Sequence, residues 1–150
     1  MAHRLFILNG PNLDMLGHRE PQIYGRVTLP EIERRCRELA DELDFDLFFG
    51  QSNSEGELID WLHQAYHEGA AVIINPAGLS TRSVSVLDAL RMLVRPVIEV
   101  HLTNIFSRQA IYHSELLTAR ATTGFLAGFG AAGYELSMRA VESLLGGERV

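Results

Sequence analysis

"AAVIINP" (Ala70–Pro76) is the stretch that decides the fold. It is apolar at every position before Asn75, it is short, and a proline stops it. A strand without polar alternation is buried on both faces, and that is the habit of a parallel sheet covered by helices. The flanking sequence supports this. "SEGELIDWLHQAYHEG" (Ser54–Gly69) precedes it as a helix opened by a Ser54/Glu57 capping box and stopped by Gly69. "RSVSVLDALRML" (Arg82–Leu93) follows as another helix.

Outward from this centre the alternation repeats. "RLFILN" (Arg4–Asn9) and "DFDLFFGQS" (Asp44–Ser52) read as strands, separated by the helical "TLPEIERRCRELADEL" (Thr28–Leu43) with its Thr28/Glu31 capping box and a proline in the first turn. "RPVIEVHL" (Arg95–Leu102) and "TTGFLAGFG" (Thr122–Gly130) complete five strands, and "AAGYELSMRAVESLLG" (Ala131–Gly146) is the last helix. Five strands alternating with helices, joined by right-handed crossovers, predict one α/β domain over residues 1–150. Its form is a flavodoxin-like three-layer sandwich with a five-stranded parallel sheet in the order 2-1-3-4-5.

That architecture also locates a site. Ligands bind beyond the carboxyl ends of such strands, near the switch between strands 1 and 3. The polar segments fall there: "NGPNLDMLGHREPQIYG" (Asn9–Gly25) after strand 1, "NPAGLS" (Asn75–Ser80) after strand 3 and "HLTN" (His101–Asn104) after strand 4.

Composition narrows the chemistry. A chain of 150 residues with 47% hydrophobic and 21% charged residues can bury a full core. No apolar run is long enough to span a membrane, and "MAHRLFILNG" lacks the form of a secretory signal, so a cytoplasmic protein is expected. The net charge of −6 argues against a nucleic-acid partner. The lone Cys36 can form no internal disulfide and reads as a packed side chain. Neither paired cysteines nor a zinc-binding HxxxH or HExxH pair is read in the chain, so no metal is expected. "GFGAAG" (Gly128–Gly133) fits a dinucleotide fingerprint loosely, but it follows the last strand and reads as tight strand–helix packing. All 13 basic residues are arginine. Without lysine no Schiff base can form, so carbonyl chemistry here would run through an enolate.

Two pairs carry the chemical reading. A phenol (ordinary pKa ~10) serves as a base only beside a cation, and a shift of roughly three units needs about 4 kcal/mol. Arg19 lies five residues before Tyr24 and can provide that cation; packing on the sheet edge is the plainer alternative. His101 ends strand 4, with Glu99 two residues earlier on the same face of the strand, placed to orient the imidazole for acid or base work. A histidine simply hydrogen-bonded at a strand end reads equally well. The backbone N–H groups after His101 could hold a carboxylate. Asn12 and Asn75 stand in turn contexts where asparagine is common.

Together these segments resemble the type II 3-dehydroquinases. "LNGPNLDMLGHREPQIYG" looks like that family's N-terminal signature, and "GQSNSEGELIDWLH", "VIINP", "PVIEVHLTNI" and "GFGAAGY" match further family segments in order, from Leu5 to about Leu145. The resemblance implies dehydration of 3-dehydroquinate to 3-dehydroshikimate, in the shikimate or quinate pathways, by anti elimination through an enolate. Tyr24 would be the base, Arg19 its cationic partner and His101 the acid, with Asn12 holding a water at the enolate. Asn75, Leu102, Thr103 and Arg108 would bind substrate under a lid at about residues 18–26. The resemblance also implies no cofactor, and dodecamers built from trimers in which Asp88 reaches a neighbour's site.

The match departs in two places. The family usually reads NPGAYTHTS where this chain has "NPAGLSTRS", so Leu79 and Thr81 replace a tyrosine and a substrate-binding histidine. It usually carries REEFR where this chain has "RQAIY", so Arg108 matches but Tyr112 replaces the second arginine; the segment over 109–123 also differs in length. Both changes fall where the family grips the far hydroxyls of the ring. Arg82 or Arg120 would restore that grip; otherwise the substrate would be a related cyclic β-hydroxy ketone, or the chain a non-catalytic relative. A flavodoxin-like binding module is the reading from a different class.

Overall fold

The computed structural model describes residues 2–147; residues 1 and 148–150, the ends of the expected 1–150 domain, lie outside the described residues. Alternation explains its layers. In β1 (His3–Asn9), Leu5 and Ile7 face one side and Phe6 and Leu8 the other, and all four are fully buried. In β3 (Ala71–Asn75) every residue is buried. Leu5, Ile7, Ala71 and Ile73 pack with the apolar faces of α2 (Leu29–Leu43) and α5 (Ala132–Leu145) in one core. Phe6, Leu8, Val72 and Ile74 pack under α3 (Glu55–Glu68) and α4 (Val84–Arg91) in the other.

With β2 (Phe45–Gln51), β4 (Val97–His101) and β5 (Gly124–Ala127), the sheet is parallel throughout and ordered β2-β1-β3-β4-β5, as the sequence predicts. The Thr28 and Ser54 caps form: each hydroxyl accepts from the backbone N–H three residues on. A short helix, α1 (Pro21–Tyr24), interrupts the loop after β1.

One helix starts later than the sequence suggests. The pattern places Arg82 at its opening, but Ser83 takes the cap, its hydroxyl accepting from Val86 N at 2.9 Å. Arg82 is left in the preceding turn with its side chain exposed.

Candidate active site

The site forms where β1, β3 and β4 end. Gly10 N–H donates to Asn75 O at 2.8 Å, tying the first loop to the third strand. A side chain at Gly10 would sit 2.6 Å from Pro76 O, so only glycine allows this approach. The loop after β2 braces the same region: Asn12 N–H donates to Asn53 Oδ1 at 2.9 Å, and Gln51 Nε2 donates to Gly10 O and to Asn53 Oδ1. Asn12, Glu20 and Ala77 hold left-handed backbone, with φ of 74°, 36° and 53°. Three non-glycine residues in that region, all in loops around one cavity, mark a backbone whose shape is imposed by its surroundings.

Tyr24 ends α1, and Arg19 lies just before that helix. Arg19 Nη2 stands 3.3 Å from the Tyr24 hydroxyl, and its guanidinium lies 4.5 Å from the ring centroid. Glu20 holds the same guanidinium at 3.2 Å. Arg108 approaches the Tyr24 ring at 5.3 Å and stacks on Tyr112 at 3.9 Å. The phenol is thus flanked by two cations, one at its hydroxyl and both near its ring.

His101 is buried at the end of β4. Its Nε2 lies 2.7 Å from Glu99 Oε2, and Glu99 is fully buried behind it. The second carboxylate oxygen, Oε1, accepts from the Thr118 hydroxyl at 2.6 Å. Since Nε2 faces the carboxylate, Nδ1 is the ring nitrogen left to the cavity.

The floor is a buried polar chain. Asn9 and Asn75 end adjacent strands on the face toward α5, where Tyr134 stands fully buried. The Tyr134 hydroxyl donates to Asn9 Oδ1 at 2.6 Å and accepts from Asn75 Nδ2 at 3.1 Å. Asn75 Oδ1 accepts from Ala77 N–H at 3.1 Å, which fixes the orientation of the amide. Burial pushes the Tyr134 phenol well above its ordinary 10.0, so it remains a donor.

These groups surround a cavity of about 240 Å³. Asn12, Arg19, Tyr24, Asn75, Thr81, His101, Leu102, Thr103 and Arg108 all line it, as does Tyr112. Its wall carries two arginines and no carboxylate among the described residues, so an otherwise acidic chain offers a cationic pocket suited to an anionic ligand.

Four residues singled out in the sequence stand elsewhere. Glu99 acts behind His101 rather than at the wall. Asp88 is exposed on α4, away from the cavity of its own chain. Arg82 is outside the wall because the Ser83 cap turns it into solvent; Arg120 also lies outside, exposed and 3.3 Å from Glu115. The far wall is therefore built by Gly78, Ser80, Thr81 and Tyr112. Thr118 and Tyr134 were not legible as site residues, since their partners lie 19, 59 and 125 positions away. His63 and His67 do stand four apart on an exposed stretch of α3, but no group of three or more metal-binding side chains occurs among the described residues.

A phenol between guanidiniums and a carboxylate-backed imidazole, at the carboxyl edge of a parallel sheet, define an acid–base enzyme of the α/β class. Comparison with known proteins makes this specific. The family model described as "Dehydroquinase class II" matches residues 3–142. The chain is 46% identical over 147 residues to a 3-dehydroquinate dehydratase of Cereibacter sphaeroides, covering 98% of this chain and 99% of that one. It is also 46% identical over 144 residues to the Sinorhizobium medicae protein of the same name, covering 96% and 97%. Among solved structures, type II dehydroquinase from Propionibacterium acnes superposes with a TM-score of 0.91 at 40% identity, over 95% of this chain and 98% of that one. The chain belongs to the class II dehydroquinase family.

Proposed function

We propose that this chain is a 3-dehydroquinate dehydratase, a hydro-lyase converting 3-dehydroquinate to 3-dehydroshikimate. The observation that carries the reading is one cationic cavity lined by both the Arg19–Tyr24 pair and His101, with Glu99 buried behind the imidazole. Tyr24, as phenolate, takes a proton from C2 beside the ketone, and Arg19 and Arg108 favour its charge. The electron pair enters the carbonyl as an enolate, which a water held by Asn12 supports. Collapse of the enolate expels the C1 hydroxyl, protonated by His101, as water. Leu102 and Thr103 N–H groups and Arg108 suit the substrate carboxylate, while Asn75 and Thr81 suit hydroxyls.

Residues 18–26 act as a lid, since Arg19 and Tyr24 belong to an otherwise largely exposed segment. The same reading gives a cytoplasmic dodecamer built from trimers. It is supported by exposed Phe106, Ile111, Phe125 and Phe129, apolar side chains that assembly would cover. Asp88 would meet a neighbour's cavity.

The test is direct: purified protein mixed with 3-dehydroquinate should produce the ultraviolet absorbance of a conjugated enone. Folded protein that produces none, at any lid-permissive temperature, overturns the reading. The far wall favours one second reading, a related cyclic β-hydroxy ketone, because Thr81 and Tyr112 offer no cation there. A ring ketone lacking one far hydroxyl and turning over faster than 3-dehydroquinate would establish it.

A further inference from the structure

Segment 109–123 departs from the family pattern, yet it delivers one side chain to the acid. Thr118 is fully buried and donates at 2.6 Å to Glu99, whose other oxygen meets His101 at 2.7 Å. Both oxygens of a buried carboxylate therefore have a donor. The two donors are not equivalent during the reaction. When His101 gives up its proton at Nδ1, its ring becomes neutral, and the buried Glu99 charge loses the cation facing it. The Thr118 hydroxyl is then the donor whose strength has not been tied to the ring's charge. Hydrogen bonds to an ionised group are stronger than neutral ones.

We propose that Thr118 is a positioning residue for the acid: its hydroxyl stabilises the lone Glu99 carboxylate left after proton transfer, and so lets His101 release its proton more readily. For its kinetic consequence the proposal rests on the dehydratase reading; for its effect on His101 it does not.

The surroundings hold few competing groups. Beside the pair, β5 brings Phe125, with ring centroids 5.4 Å apart from His101, and β3 brings the apolar Ile74 opposite Glu99. On α5, Tyr134 is engaged with Asn9 and Asn75. On α4, Asp88 is exposed, and on the 118–121 turn Arg120 points to Glu115. Across the cavity stand Arg19, Tyr24, Arg108 and Tyr112. The turn is anchored without the hydroxyl: Leu117 N–H donates to Ser80 O at 2.8 Å, and Thr123 N–H to Val97 O at 2.7 Å. Removing one oxygen should therefore leave the segment in place.

Thr118→Val keeps the shape and deletes the donor, and Thr118→Ser keeps the donor. In substrate-free protein, NMR titration of the His101 imidazole should show the Val variant holding its proton to higher pH, by about one unit. With 3-dehydroquinate, kcat should fall ~10-fold with KM little changed, and the alkaline limb of its pH profile should move upward. Thr118→Ser should restore all three. A folded Val variant with the wild-type titration midpoint overturns the proposal, even if its thermal stability has dropped. If the wild type turns over no 3-dehydroquinate, the dehydratase reading fails and the NMR comparison alone decides the role of Thr118. Should Thr118→Val not fold, Thr118→Cys, whose thiol is a weak donor, replaces it in the same comparison.

Discussion

Tyr24 and Tyr134 are both phenols, and their surroundings differ sharply. Tyr24 sits between guanidiniums at a cavity wall, where the proposed reaction needs a base. Tyr24→Phe should abolish turnover while product still binds, since the ring keeps its stacking; calorimetric titration with 3-dehydroshikimate alongside the enone assay checks this, and near-normal turnover would refute the base assignment. Tyr134 is sealed under the floor and kept neutral by burial. Tyr134→Phe strands Asn9 Oδ1 and Asn75 Nδ2, at about 1–3 kcal/mol per unpaired group. Thermal unfolding should drop by roughly 5–15 °C, and an unchanged midpoint would show the chain to be dispensable. Cys36 supplies the pH prediction. Burial pushes its thiol from 9.0 up to about 12. The folded state thus binds this proton more tightly than the unfolded state, so stability is full below about pH 9 and falls as pH rises toward about 12. Urea unfolding at pH 8 and pH 10 should show a loss that Cys36→Ala reduces.

At the scale of elements, the turn after β3 carries the sharpest departure from ordinary backbone. Ala77 sits at φ 53°, with Gly78 beside it, where the family pattern places glycine first. The left-handed conformation costs a non-glycine residue about 1–2 kcal/mol. Ala77→Gly should therefore leave the melting temperature unchanged or slightly raised, whereas Ala77→Val should lower it; a clear loss in the glycine variant would contradict this account. Helices and strands were readable because their signals are local: the Thr28 and Ser54 caps, the period-2 faces of β1, the apolar run of β3. Strand ends and the family resemblance together pointed to Asn12, Arg19, Tyr24 and His101, and all four line the one cavity at the sheet's carboxyl edge. Arg82 misled because Ser83, lacking the glutamate of a capping box, gave no sign that it would begin the helix. Thr118 and Tyr134 were hidden because a side-chain contact across the sheet leaves no periodic trace in sequence.

At the scale of the molecule, the apolar side chains exposed around β5 set an expectation for assembly. Light scattering on purified protein should give a mass well above 16.7 kDa, in the range of twelve chains; a stable and active monomer would remove both the dodecamer and the role of Asp88. The bond from Tyr134 to Asn9 has a consequence for how such a protein is made. It joins positions 125 residues apart, near the two ends of the chain. Contacts of that separation form late, because the entropy of closing so large a loop must be met first. As the chain leaves the ribosome, β1 to β3 can pair early, but the floor beneath Asn75 stays open until α5 has emerged. A nascent chain with most of its sheet assembled would therefore still lack a finished catalytic cavity, and activity would arrive only with the last helix.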